Sequence, residues 1–355
     1  MGFMGSSSAH KPTPLGINLF VLRGRITFVV SLFRIWALLI AIVVALTLMA
    51  VAFDENDARA AQSIALGAYI SGAPWDPAKI DEFSAMVDTP PSVVMWYQDW
   101  AHVGVREFDA QKMDAVVTRG AVPMVTWEPW DHTGGVNQPN YTLQSINRGK
   151  HDAYIRQWAR NAAAWNEPFY LRFAHEMNGD WYPWSPGVND NTTAQYISAW
   201  RHVVSIFRQE GATNVCWVWS PNVKYNGSTP FGKVYPGNSY VDLIGIDGYN
   251  WGTTSQGKSW QELATVFGPS YDKLAAMTDK PMMIAETASA ESGGDKAAWI
   301  KKGLLEDVPS RLPRVRAVVW FHENKEADWR IDSSVGSLAT YKQAAEAPVY
   351  RGRLQ

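Results

Sequence analysis

The segment Phe169-Tyr170-Leu171-Arg172-Phe173-Ala174-His175-Glu176-Met177-Asn178-Gly179 decides how this chain is read. From Phe169 to Ala174 it is apolar apart from Arg172 and shows no polar/apolar alternation, the pattern of a parallel strand covered on both faces. Polarity changes at His175-Glu176, and a glycine follows three residues later, so the strand gives way to a loop at the acid. A carboxylate at such a junction is held firmly, partly desolvated and still open to a ligand, as acid/base or nucleophilic chemistry requires.

The same kind of run recurs along the chain, at 63–69, 92–97, 121–127, 215–219, 242–247, 281–286 and 315–321. Helical patterns separate most of them. One runs to 86 behind Asp76-Pro77, where the acid can cap and the proline fits the first turn; Gly120 ends the next. Others cover 152–165, 193–209 (followed by Gly211), 259–277 and 296–306. The connection 220–241 is rich in Pro, Gly, Asn and Tyr and has no helical period. Eight strand–helix units over about 280 residues predict an α/β protein built as a single (β/α)8 TIM barrel. An open doubly wound sheet is the rival, but no Gly-x-Gly-x-x-Gly or phosphate-loop signature follows the first run.

With 46% hydrophobic residues in 355, one large core can be buried, and the net charge of -2 provides no basic field for nucleic acid. The single cysteine, Cys216, lies in an apolar run, which excludes an intrachain disulfide and a cysteine metal cluster and suits a small buried hydrophobe. The 18 Trp, 14 Tyr and 13 Phe are the unusual feature. Core packing is the ordinary role of any one ring, but many Trp stand near strand ends, where flat faces suit the C–H faces of sugars.

Residues 35–53 are apolar except for Thr47, with Arg23, Arg25 and Arg34 before them and Asp54, Glu55 and Asp57 after. This predicts an N-terminal hydrophobic signal or anchor helix, with the N-terminus cytoplasmic and the bulk of the chain extracytoplasmic, secreted or tethered to the membrane through 35–53. Ala58-Arg59-Ala60 fits a small-x-small cleavage pattern. The expected division is a cytoplasmic N-terminus plus signal or anchor segment over 1–60 and a catalytic barrel domain over 61–355.

A barrel carries its active site at the C-terminal strand ends, and there the chain places Trp96, Asp99, Glu128, His175, Glu176, Trp219, Asp247, Tyr249, Glu286, Trp320 and His322. Glu176 and Glu286, about 110 residues apart, suggest glycoside hydrolysis, in which one carboxyl acts as acid/base and the other as nucleophile. Glu128 and Asp247 compete with them, and strand-end acids also cap helices or pair with cations such as Arg172. His175-Glu176 is not a zinc motif, since Gly179 occupies the position where a second histidine would be needed, and no Gly-x-Ser-x-Gly elbow occurs. No metal and no cofactor are expected, and the partner is a polysaccharide or oligosaccharide.

From Arg172 to Trp181 the chain resembles the acid/base segment of glycoside hydrolase family 26, whose members include endo-β-1,4-mannanases, mixed-linkage β-glucanases and β-1,3-xylanases. The resemblance continues through Tyr235-Pro236-Gly237, Ile244-Gly245-Ile246-Asp247-Gly248-Tyr249, the strand ending in Glu286 and Trp320-Phe321, covering roughly residues 63–345. It implies retaining hydrolysis with Glu176 as acid/base and Glu286 as nucleophile. His175 and Trp181 would shape the neighbouring subsites, Tyr249 would hydrogen-bond the nucleophile, Trp320 would form the platform under the sugar, and Arg172 would orient the acid/base strand end. Mannan is the first expected substrate and mixed-linkage glucan the second. The chain departs from the mannanase pattern at Trp181-Tyr182-Pro183-Trp184-Ser185, where a Trp-Phe-Trp-Trp-Gly type of run is usual. A non-catalytic polysaccharide-binding envelope protein is the alternative from another class.

Overall fold

The computed structural model describes residues 63–352, so the expected signal or anchor segment at 35–53 lies outside the described residues. Among those described, no helix is long and apolar enough to cross a membrane. Eight strands form a closed parallel barrel: β1 (Ala65–Ile70), β2 (Val93–Asp99), β3 (Val122–Glu128), β4 (Phe169–Phe173), β5 (Val215–Trp219), β6 (Leu243–Asn250), β7 (Met282–Ser289) and β8 (Val315–His322), with β8 pairing back onto β1. Each overlaps an apolar run of the sequence. The outer layer contains α1 (Ala78–Val87), α2 (Ala110–Val117), α3 (Leu143–Asn147), α4 (Asp152–Trp165), α5 (Thr193–Gln209), α6 (Leu263–Met277), α7 (Lys296–Lys302), α8 (Val308–Arg311) and α9 (Val335–Glu346).

Local chemistry sets the helix ends. Thr192 and Gln195 form a reciprocal capping box that starts α5. The helical pattern from 259 begins only at Leu263, because Asn250 Oδ1 accepts from the N–H groups of both Gly252 and Gln261 and closes residues 251–262 into a loop. The pattern over 296–306 breaks after Lys302 into a π-turn over Gly303–Asp307. Gly303 lies against Leu263, where a Cβ would approach within 2.8 Å, and Pro309 supplies no N–H to the ladder that follows. The connection 220–241 is irregular, with only short 3-10 turns at Phe231–Lys233 and Asn238–Tyr240.

Much of the tryptophan is structural. Trp127, Trp158 and Phe207 meet between β3, α4 and α5 with ring centroids 5.0 to 5.9 Å apart, and Trp127 Nε1 donates to Tyr154 Oη at 2.9 Å. Each such fully buried ring contributes roughly 2–3 kcal/mol of transfer free energy.

One irregularity sets the site. β6 pairs with β7 as Ile246↔Ile284 and then Asp247↔Glu286, so Ala285 has no partner. From the other side, β8 advances two residues, Val318 to Trp320, while β7 advances three, Ile284 to Thr287. Both neighbours therefore see one extra residue in β7 at the same place. A bulge of this kind re-aims the side chain that follows it, here Glu286.

Candidate active site

The acid at the end of β4 is held in an unfavourable backbone conformation. Ala174 has φ 44° and Glu176 φ 50°, in the left-handed region that residues with a Cβ seldom adopt. Surrounding hydrogen bonds impose it: Ala174 N–H donates to Trp127 O (3.1 Å), Glu176 N–H to Ser220 O (2.7 Å), Tyr196 Oη to Ala174 O (3.0 Å) and Trp184 Nε1 to His175 O (2.7 Å). The turn places the Glu176 side chain in the mouth of the barrel.

Both carboxylate oxygens of Glu176 are engaged. Oε1 accepts from Asn222 Nδ2 at 2.6 Å and Oε2 from Trp181 Nε1 at 2.7 Å. Asn222 is clamped in turn by Asn178, whose Oδ1 accepts from the Asn222 N–H and whose Nδ2 donates to the Asn222 carbonyl, each at 2.9 Å. Gly179 lets the Trp181 ring fold back toward the acid, since a Cβ there would lie 2.6 Å from that ring. The segment from His175 to Trp181 thus serves as a holder for one carboxyl.

Glu286 has a different setting. Its Oε1 accepts from Arg172 Nη2 and its Oε2 from Tyr249 Oη, the latter at 2.6 Å. Arg172 is fully buried inside the barrel, where Nε donates to Thr126 Oγ1 and Nη1 to Asp247 Oδ1, both at 2.9 Å. Arg172 therefore pairs with Glu286 and Asp247, and not with Glu176 as in the competing reading of strand-end acids, because its side chain points into the barrel from β4 while Glu176 lies beyond the strand in the loop.

Glu176 and Glu286 line one cavity of about 1480 Å³ together with Glu128, Tyr97, Trp181, Tyr249, Trp251, Phe321 and Trp329. Burial, followed by the negative charge of Glu286, pushes the Glu176 carboxyl up to about 7, against the opposing hydrogen bonds from Asn222 and Trp181. Burial also pushes the Tyr249 phenol well above its usual range, so it remains a donor to Glu286. His175 is held neutral by burial and the Arg172 charge; its Nε2 meets Tyr182 Oη at 3.0 Å, and it lies beneath the cavity wall and not on it. Of the competing acids, Asp247 is fully buried beneath the cleft with Oδ1 on Arg172 and Ser220. Glu128 does line the cavity.

Trp320 requires correction as the sugar platform. It is fully buried on the outer face of β8, packed against Trp299 of α7 and Tyr341 of α9, with Nε1 donating to Trp329 O at 2.8 Å. Side chains alternate along a strand, so the neighbouring Phe321 takes the inner face and stacks on Tyr69 at 4.6 Å. Phe321 and Trp329, with Trp251 perpendicular to Trp329 at 5.0 Å, form the aromatic wall. Of the residues that sequence reasoning missed, Asn222 had a signal, since it follows the fifth apolar run directly as Ser220-Pro221-Asn222; Trp329 had none, since it lies in a loop.

Glu128 gives a test of these electrostatics. Burial raises its carboxyl to about 8, and Glu176 stands near 7, both above the ordinary 4.5. The folded chain thus keeps protons that the unfolded chain releases. This contribution to stability is complete below about pH 4.5 and is lost as pH rises through about 7 to 8. Glu128→Gln is expected to flatten the decline and to be more stable than wild type by roughly 2–4 kcal/mol at pH 8. Urea midpoints across this range check it; parallel curves for the two proteins would contradict it.

A (β/α)8 barrel with two differently held carboxyls in an aromatic-walled cleft at its C-terminal strand ends is the architecture of a glycoside hydrolase. The chain belongs to glycosyl hydrolase family 26, whose sequence profile matches residues 98–323. Over 289 residues it is 43% identical to endoglucanase H of Acetivibrio thermocellus, a match covering 79% of this chain and 30% of that protein. It is 37% identical over 169 residues to mannan endo-1,4-beta-mannosidase A and B of Caldalkalibacillus mannanilyticus, covering 45% of this chain and 30% of the other. The matches span about three-tenths of the length of each of these curated relatives. Among solved structures, an endo-beta-1,4-mannanase double mutant from Cellulomonas fimi superposes with a TM-score of 0.63 at 20% identity, covering 82% of this chain and 73% of that one, a likeness of fold.

Proposed function

We propose that the chain is a retaining endo-β-glycanase, with Glu176 as acid/base and Glu286 as nucleophile, and that its preferred substrate is a β-linked glucan. The observation that carries this reading is the inequality of the two carboxyls in one cleft: Glu176 is raised to about 7 beside neutral donors, whereas Glu286 is ion-paired with Arg172 and anchored by Tyr249. In the first step a Glu286 oxygen bonds to the anomeric carbon while Glu176 gives its proton to the departing glycosidic oxygen. Esterification removes the Glu286 charge that had raised Glu176, so the acid becomes a weaker proton holder when it must act as a base. In the second step Glu176 takes a proton from water, whose oxygen displaces Glu286 and restores the original anomeric configuration. Trp181 and Tyr249 would contact substrate, with His175 and Arg172 acting from behind them.

Endo action is supported by the size of the cavity, which exceeds the upper range of about 1,000 Å³ for ordinary small-molecule pockets and gives room for several sugar units. Glucan is favoured over the mannan first expected from the sequence because the similarity to the relative named an endoglucanase runs over 79% of the chain, against 45% for the mannosidase. Mannan is the second reading. Incubation with β-1,3-1,4-glucan, β-1,4-mannan and β-1,3-xylan, with reducing ends counted and the first-formed anomer followed by NMR, tests both. Fastest release from the glucan with the β-anomer first is expected. An α-anomer first would reject the retaining assignment, and binding without new reducing ends would favour an adhesive protein.

A further inference from the structure

We propose that Asp99, His102 and His132 form a binding site for one divalent cation of the zinc class at the rim of the cleft. Asp99 ends β2, and its side chain is only 4% exposed. Its Oδ1 accepts the N–H groups of Ala101 and His102 at 3.0 Å each, which fixes the carboxylate and leaves Oδ2 as the outward oxygen. Two imidazoles from different loops converge on that single atom. His102 Nδ1 lies 2.8 Å from it, and His132 Nδ1 also contacts it, with the rings 4.7 Å apart. The pairing of Asp99 with Glu128 across β2 and β3 sets the two loops side by side.

One donor atom from each of the three residues lies within 4.8 Å of the others, and no other such trio occurs among the described residues. Tetrahedral zinc with bonds of about 2.0–2.2 Å requires donors roughly 3.4 Å apart, which small side-chain rotations here provide. A second feature is independent of that convergence. The other nitrogen of His102, Nε2, lies 3.9 Å from Asp131 Oδ1, and Asp131 is itself fixed by the N–H (2.9 Å) and hydroxyl (2.6 Å) of Thr133. A carboxylate hydrogen-bonded behind a liganding imidazole is the usual outer support of a metal-bound histidine, and Asp131 stands a small side-chain rotation short of that contact.

The competing role is a surface hydrogen-bond cluster. It explains His132 poorly, because this ring is 58% exposed and gains little from sharing an oxygen already used by His102. Two imidazoles and one carboxylate select a zinc- or nickel-type ion over calcium or magnesium, which take oxygen donors. Asp99 and His132 line the cavity, so a fourth position would face the cleft and accept water or a sugar hydroxyl. The bound ion would also join the two loops at this end of the cleft.

Calorimetric titration of the full-length chain, purified in detergent and stripped with EDTA, with zinc chloride at neutral pH tests the site. One zinc per chain is expected, with affinity reduced on the order of 10-fold or more in both His132→Gln and His102→Gln. His132 is on the surface, so its variant is expected to keep the wild-type circular dichroism spectrum and melting temperature in EDTA. Absence of saturable zinc binding, unchanged binding in either variant, or loss confined to one of them overturns the proposal.

Discussion

Glu286→Gln is expected to lower kcat on the proposed glucan substrate on the order of 10^4-fold or more, the scale on which removal of an enzyme nucleophile acts. Glutamine is the informative replacement. Arg172 is fully buried and balances Glu286 and Asp247; alanine at 286 would remove one of these partners, and breaking a buried pair in this way costs about 3–5 kcal/mol. The amide keeps the volume, an oxygen for Arg172 and a polar group for Tyr249, but it cannot form a glycosyl ester that turns over. A melting temperature close to wild type together with lost turnover would place the effect in the chemistry. Activity within tenfold of wild type would remove Glu286 from the role and turn attention to Glu128, a strand-end carboxyl that also lines the cleft.

The parts of this arrangement that could be read in the sequence are those with a local physical cause. A barrel strand covered on both faces must be apolar throughout, so eight runs such as 215–219 announced the strands, and acids at two run ends marked the mouth. What could not be read depends on one-residue offsets and on partners distant in the chain. The bulge at Ala285 leaves no compositional trace, yet it determines where Glu286 points. Trp320 and Phe321 are adjacent aromatics, and only their phase in β8, set by the neighbouring strands, sends one to α7 and the other to the cleft. Nor does periodicity tell that Arg172 crosses the barrel interior to Glu286, or that Asn222 reaches back to Glu176 from the irregular 220–241 connection. The last helix, α9, passed unseen behind the Ser334 cap because its inner face is mostly small and polar residues, Ser337, Tyr341, Ala344 and Ala345.

The acid/base assignment makes a sharper prediction, since Glu176→Ala should affect different substrates unequally. With polysaccharide, whose departing alcohol needs a proton, kcat/KM is expected to fall about 10^2–10^4-fold. With an aryl glycoside whose leaving group is itself acidic, kcat/KM should stay within about tenfold of wild type, because formation of the glycosyl ester no longer needs the proton. Hydrolysis of that ester still lacks its base, so kcat and KM should fall together as the ester accumulates, and mass spectrometry should detect it on Glu286. The pH profile has a definite sign. Glu176 gives its proton only when protonated, and with its carboxyl raised to about 7 the active fraction declines roughly tenfold per pH unit above that value. Wild-type kcat/KM on polysaccharide should therefore have a basic limb near pH 7, and the alanine variant should lose that limb on the aryl glycoside. Equal losses on both substrates, or a basic limb unchanged in the variant, would move the acid role to Glu128, whose carboxyl near 8 would then have to supply the proton.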